Sequence, residues 1–320
     1  MNDKLNIISV EKQKKKSPQK SRRDDAVELF QKKWQENPKQ FDATHTVIER
    51  ERLKRTLMLI HEYVKPKDKK IVDLGCGNGN IVETLAKEGA IVHAIDICET
   101  PLKALENKHI PNLTLNQDFV PFTTVEDDKY DLAISTELIA HLPPDHYRLY
   151  FSELSRIVHP NGHILCSTAL DIYSEDALDR FLSLVETEIK IVKVTLSRHS
   201  LYIRLDSLLH APSRFVLASD QPDYRKQELD QRTWWLSKSW FALNSSKPLK
   251  PLWQLATILL RPIINWVEQS SRLLIALEKI CEFFDTGISH ANVIGLRRPL
   301  VEPKIDEIPK ERKQKRQVWE

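Results

Sequence analysis

The chain has 320 residues, 41% of them hydrophobic, and a formal net charge of +3. That is enough apolar material for one large domain with additions, or for two domains. The positive excess sits in Met1 to Arg23, where eight Lys and Arg face only Asp3 and Glu11, so the rest is slightly acidic and bulk charge gives little support to a nucleic-acid partner.

The four cysteines, Cys76, Cys98, Cys166 and Cys281, are scattered. They form neither a metal-ligand pairing nor a disulfide framework, which fits a reducing, cytoplasmic setting. The charged first residues lead into no apolar run, which argues against a secretory signal. No stretch of 18 uncharged apolar residues appears. The nearest approach, Leu252 to Val267, is broken by Arg261 and Pro262.

Residues 1–24 are lysine-rich and aperiodic. They read as a disordered, solubilising tail, with a surface or nucleic-acid contact as the rival. Asp25 to Pro38 carries Val27, Leu29, Phe30 and Trp34 and predicts a short helix. Ala43 to Tyr63 predicts a longer one, with Val47, Leu53, Leu57 and Ile60 at three- and four-residue steps. Lys65-Pro66-Lys67-Asp68 ends it.

The strongest signal follows, from Lys69 to Cys98. Ile71, Val72 and Leu74 read as a buried strand. Gly75-Cys76-Gly77-Asn78-Gly79 is a tight turn, after which Ile81, Val82, Leu85 and Ala86 return at helical spacing. Ala90 to Ile95 is a second strand, closed by Asp96. Next come a helix over Pro101–Lys108, a strand over Leu113–Asn116 and a strand over Tyr130–Ser135. A periodic helix over Asp145–Val158 leads into a Pro160-Asn161-Gly162 turn. A strand over His163–Thr168, a helix over Glu175–Glu188 and a strand over Ile189–Leu196 complete the run.

Such alternation demands a mostly parallel sheet covered on both faces. The predicted fold is therefore α/β and Rossmann-like, seven-stranded with helices on both faces. Ligands of such sheets bind at the carboxyl ends of the strands. Here those ends carry Asp73–Asn80, Asp96–Glu99, Asp118–Phe122 and Ser135–His141.

His199 to Lys250 is polar with embedded tryptophans, and its elements cannot be placed from pattern. Leu252 to Phe284 is mainly helical with a long apolar stripe. Two readings stand for it: a helix packed over the site or the sheet, or an amphipathic segment lying on a membrane or against a partner. Ala291 to Leu296 reads as a last strand. The expected divisions are 1–24 tail, 25–66 N-terminal helices, 67–198 core, 199–285 helical insertion, 286–300 last strand and 301–320 charged tail.

The glycine turn has two competing readings. A dinucleotide site needs G-x-G-x-x-G, but Asn80 stands at the third glycine position and the pattern is G-x-G-x-G. Asp73, two residues before the first glycine, would repel a pyrophosphate and suit a cation or an amine. The other reading is S-adenosyl-L-methionine. VDLGCGNGN resembles the first motif of the class I, Rossmann-like S-adenosylmethionine-dependent methyltransferases. YDLAISTELIAHLPP resembles their fourth motif, and HPNGHILCST the run into their fifth strand. The resemblance covers about Glu62 to Thr168, with a weaker echo at SHANVIGLRRP. It is specific to fold and cofactor, not to substrate.

The resemblance implies that the loop of Asp73, Gly75, Cys76, Gly77, Asn78 and Gly79 passes beside the methionine part of the cofactor. It implies that Asp96, with Ile97 beside it, takes the ribose hydroxyls, which suits two acceptor oxygens. Asp118 would meet the adenine amino group with Phe119 stacking, and Ser135 would lie at the end of the fourth strand. Glu137 to His141-Leu142 is similar to the small-molecule branch that includes the ubiquinone O-methyltransferases and related sugar or natural-product enzymes.

The methyl donor is reactive, so such an enzyme mainly aligns a nucleophile with it. His141 is the candidate base, against a loop-structuring role. Glu137 positions a substrate hydroxyl or amine, or is structural. No compact ligand set supports a metal, and His199, His210 and His290 fall outside any motif. Residues 25–62 and 199–284 are the expected lid, and Trp234, Trp235, Trp240 and Tyr202 would wall an aromatic or lipidic acceptor or form the core of a cap. The expected activity is methyl transfer to a small molecule such as a quinone precursor, sugar or lipid-linked compound. The rivals are a protein or nucleic-acid methyltransferase and an inactive scaffold.

Overall fold

The structure, a computed structural model, describes residues 22–298. Both charged tails fall outside them, except that the first helix, α1 (Arg22–Glu36), begins two residues before the predicted end of the basic tail. A short 3-10 turn, Pro38–Phe41, leads to α2 (Val47–Tyr63), capped by the Thr46 side chain accepting from the Glu49 N–H.

The core alternates strand and helix: β1 (Lys70–Leu74), α3 (Asn80–Lys87), β2 (Ile91–Asp96), α4 (Glu99–Glu106), β3 (Leu113–Gln117), β4 (Tyr130–Thr136), α5 (Tyr147–Ile157), β5 (Val158–Ala169), α6 (Ala177–Val185), β6 (Ile189–Ser197). Helices α7 (Ser200–Leu209), α8 (Ala211–Asp220), α9 (Pro222–Gln231), α10 (Trp235–Asn244), α11 (Lys250–Gln269) and α12 (Ser271–Phe283) precede β7 (His290–Arg297).

The seven strands form one sheet in the order β3-β2-β1-β4-β5-β7-β6. β1 to β5 run parallel, and β7 is antiparallel to both neighbours. The predicted turn at Pro160 to Gly162 survives as an irregularity at the start of β5. Tyr130 pairs with Val158, and Leu132, two residues on, pairs with His163.

Burial explains the continuous apolar strands. Leu132 and Ile134 face a cluster built with Leu59 and Ile60 of α2, Val82 and Leu85 of α3 and Leu105 of α4. Ala133, between them, faces the opposite cluster with Tyr150 and Leu154 of α5 and Val185 of α6. Successive residues of one strand thus feed two cores, which only a sheet covered on both faces can do.

Sequence pattern placed no element between His199 and Lys250. The structure puts four helices there, and the reason is visible in α9: its sequence PDYRKQELDQ buries no residue, so no apolar stripe marks it.

Candidate active site

The strand ends, α1 and α2 enclose a cavity of about 460 Å³, within the usual range for a small-molecule site. Its floor is the loop after β1. Gly75 and Gly77 there have φ of 79° and 52°, values that disfavour any side chain. A β-carbon on Gly77 would lie 3.6 Å from the Trp34 ring. Trp34 is itself stacked on Phe41 at 4.5 Å and roofs the loop. The Asn78 side chain donates to Asp42 Oδ1 at 3.3 Å, tying loop to roof.

Asp96 ends β2 and organises this floor. Its Oδ2 accepts from Gly77 N at 3.0 Å and its Oδ1 from Cys98 N at 2.9 Å, and the Ile97 N–H also points to the carboxylate. Burial pushes its carboxyl up, against the pull of those N–H groups.

Asp73 is the unusual group. It lines the cavity, is 3% exposed, and its Oδ1 has no hydrogen-bond partner. Burial, reinforced by the charge of Asp96, pushes it up to about 7. A cation bound beside it would relieve both causes.

Glu137 and His290 form the opposite wall. Glu137 sits at φ 59° after β4. Its Oε1 accepts from His290 Nε2 at 2.6 Å and Ser167 Oγ at 3.1 Å, and its Oε2 from Ala169 N at 3.0 Å. Burial acts to raise its carboxyl, but His290, Arg52 and Ser167 outweigh it and hold it at about 2. Burial, with the charges of Arg52 and His199, pushes His290 down against the pull of Glu137. At neutral pH the pair is an ionised carboxylate accepting from a neutral imidazole, and His290 Nδ1 is left without a partner.

His141 lines the same cavity, its ring edge-on to Phe30 at 5.1 Å. Burial, then the charge of Lys33, lowers its pKa.

Of the residues singled out by sequence, Asp73, Gly75, Cys76, Gly77, Asn78, Asp96, Ile97, Asp118, Glu137 and His141 line the cavity. Three do not. Ser135 is fully buried and donates to Leu74 O at 3.0 Å, stitching β4 to β1. Phe119 packs with Phe122 beneath the Arg23 guanidinium. Gly79 starts α3 against Leu105, where a β-carbon would come within 2.3 Å. Asp118 does line the cavity, but its oxygens already accept from Phe119 N and from Thr124 N and Oγ1.

The expected lid needs correcting. Residues 25–62 supply the roof, including Phe30, Trp34, Arg52 and Thr56, but no residue of 199–284 lines the cavity. Trp234, Trp235 and Trp240 are exposed instead, and Tyr202 is buried with Val47 and Leu274. The insertion meets the roof helix α2 away from the cavity, through that cluster and through a two-pronged ion pair from Arg55 of α2 to Glu278 of α12 at 2.8 and 2.6 Å.

His290 was missed. Its only signal was its place at the head of the last strand, since its partner lies 153 residues away. Among the described residues, Asp206, His210 and Glu268 are the one group with metal-ligand spacing. They lie on α7, the α7–α8 junction and α11, outside the cavity.

A protein-family profile described as a methyltransferase domain matches residues 45–210, more than half of the chain. The chain belongs to this methyltransferase-domain family. It is 31% identical over 106 residues to a ubiquinone biosynthesis O-methyltransferase of Vibrio atlanticus, covering 31% of this chain and 43% of that protein. It is 27% identical over 185 residues to the protein of the same name from Photobacterium profundum, covering 53% and 73%. The chain thus spans from under half to about three quarters of the length of these relatives. Among solved structures, the N-methyltransferase NodS of Bradyrhizobium japonicum, in complex with S-adenosyl-L-homocysteine, is 15% identical. It aligns with a TM-score of 0.46 over 53% of this chain and 89% of that one. The domain has the class I methyltransferase architecture, a mixed seven-stranded sheet with a helical insertion before the last strand.

Proposed function

We propose that this methyltransferase-domain protein uses S-adenosylmethionine to methylate a small molecule, at a hydroxyl of a quinone precursor, sugar or lipid-linked acceptor. The observation that carries the cofactor is Asp73: a carboxylate with its Oδ1 unpartnered, buried beside the glycine turn and costly to ionise, has a use where a cationic ligand arrives. Asp96, a two-oxygen acceptor facing the cavity, supports a vicinal diol one strand away. A pyrophosphate has no such partner here.

When bound, the cofactor supplies a methyl group on a sulfonium sulfur that leaves as a neutral thioether. The chain's own residues then have three tasks. Asp73 and the turn hold the charged end. Phe30, Trp34 and Phe41 exclude water above it. His141, kept largely neutral near pH 7, accepts the acceptor's proton. Glu137 is committed to His290, Ser167 and Ala169, so its part is to fix the wall and orient the His290 ring. The relatives' names and the Glu137 to Leu142 segment support a small hydroxylated acceptor, and an enclosed roof favours one over a polymer. The four buried, free cysteines support a reducing, cytoplasmic setting.

Calorimetric titration of S-adenosylmethionine and of NAD into the wild type and Asp96→Ala tests this. The expected result is micromolar binding of S-adenosylmethionine, about 8 kcal/mol, weakened at least tenfold in the variant, with no heat from NAD. Binding of NAD alone, or of neither, sinks the reading.

A further inference from the structure

Helix α11 carries two apolar stripes. Trp253, Ala256, Leu260, Ile264 and Val267 turn inward and the helix packs against α8 and α7. Leu252, Leu255, Leu259, Ile263 and Trp266 recur at three- and four-residue steps on another side, and all are exposed. Helix α10 repeats the arrangement. Phe241 is buried, while Leu236, Trp240 and Leu243 are exposed, as are Trp234 and Trp235 at its start. Phe241 and Trp253 meet in one cluster around Phe215. The two helices therefore share an inner side and leave their other apolar stripes to solvent. A patch of that kind on a monomer marks a contact surface.

The charge of the same segment is one-sided. Residues 231–267 contain Arg232, Lys238, Lys247, Lys250 and Arg261 and no Asp or Glu, in a chain whose charges otherwise nearly balance. Lys250 pairs with Asp220 and Arg232 with Glu228. Lys238, Lys247 and Arg261 are exposed. The segment also holds five of the seven tryptophans, Trp234, Trp235, Trp240, Trp253 and Trp266, four of them exposed.

We propose that the outer face of α10 and α11 docks onto the surface of an anionic lipid bilayer. The aliphatic stripe enters the acyl boundary, the indole rings sit at the headgroup level, and the exposed cations beside the stripes give the segment a positive field that favours anionic lipid. No described helix is long and apolar enough to cross a membrane, so the contact is interfacial. A second copy of the chain fits less well. A two-fold contact through this face would set its cations against themselves with no acidic residue of the segment to answer them. This inference stands apart from the methyltransferase reading, since it uses none of the cavity residues.

Sedimentation of the full chain with vesicles of phosphatidylcholine alone, and of phosphatidylcholine mixed with phosphatidylglycerol, tests it. The expected result is strong partitioning onto the anionic vesicles, falling with salt, and little onto the neutral ones. The triple variant Lys238→Glu, Lys247→Glu, Arg261→Glu should lose on the order of a hundredfold in partitioning. Leu259→Ser with Trp266→Ser should lose at least about tenfold, at unchanged far-UV circular dichroism. If either variant misfolds, the two lipid compositions on the wild type still decide. Equal binding to both vesicle types, or none, overturns the proposal. So does a concentration-dependent dimer that the Leu259 and Trp266 substitutions abolish without vesicles, because the face would then belong to a second copy.

Discussion

Leu132 on β4 and Leu259 on α11 are the same side chain in regular structure, yet the first is fully buried and the second 66% exposed. The sheet turns most of its apolar residues inward on both faces, from Ile71 to Ile294. The insertion puts part of its apolar surface into small clusters around Phe215 and Tyr202 and leaves the rest outside. The contrast separates residues that make the fold from residues that the fold displays. In the core, an apolar side chain is explained by its neighbours. On α10 and α11 no neighbour among the described residues explains it.

The largest effect that sharpens this contrast is expected at Leu132. Leu132→Ala removes a side chain enclosed by two neighbouring strands and the helices above them. It should destabilise the protein by about 3 kcal/mol, the transfer cost plus that of the cavity left behind. Denaturant unfolding of the two proteins measures it. A loss below about 1 kcal/mol would mean that the sheet is looser than its burial implies and that the two regions differ less than they look.

Legibility from sequence follows the same division. The strands, the glycine turn and Asp96 were readable because each is written in a few consecutive residues: a β-branched run, a G-x-G, an acid at a strand end. The roof of the site is legible only as lid helices over 25–62, since nothing local says that Trp34 will lie over Gly77. The Glu137–His290 pair joins β4 to a strand beyond the whole insertion, a link that pattern within a window cannot see. Phe119 and Ser135 sit where the family resemblance puts cofactor contacts, but burial spends Phe119 on a neighbouring ring and Ser135 on the Leu74 carbonyl. In the insertion, α9 buries nothing and α10 and α11 are apolar on two sides, so helical periodicity is blurred at both extremes.

Asp73 gives an intermediate effect, of opposite sign. Its folded pKa of about 7 lies above the ordinary carboxylate value of 3.8, so the native state holds a proton that the unfolded chain has released. Stability contributed by this group is therefore full below about pH 3.8 and is lost as pH rises through 7. Asp73→Asn removes the titration. The linkage amounts to about 4 kcal/mol at pH 8, and the unpartnered buried amide offsets roughly half, so the variant should be more stable than the wild type by about 2 kcal/mol there, with the difference shrinking toward pH 4. It should also bind S-adenosylmethionine at least about tenfold more weakly. Thermal unfolding at several pH values and a cofactor titration read both. A variant less stable at pH 8 would show that Asp73 has a partner in the fold and does not wait for a ligand. The site would then resemble Glu137, whose carboxylate is answered from within by His290, Ser167 and Ala169.

The smallest effect is the most discriminating. Leu259→Ser exchanges a large apolar side chain for a polar one on a helix, which in the sheet would be ruinous. Here the side chain meets water in the isolated protein, so little burial is lost and serine's lower helix propensity is the main cost. Stability should change by no more than about 0.5 kcal/mol. Unfolding of the variant beside Leu132→Ala in the same buffer makes the comparison within one experiment. A loss near that of Leu132→Ala would mean that the α11 stripe is folded against something in the protein, and the displayed face would vanish as a category. A null change in buffer alongside weaker partitioning onto anionic vesicles would place the use of Leu259 outside the fold, since the same substitution would be silent in one medium and costly in the other.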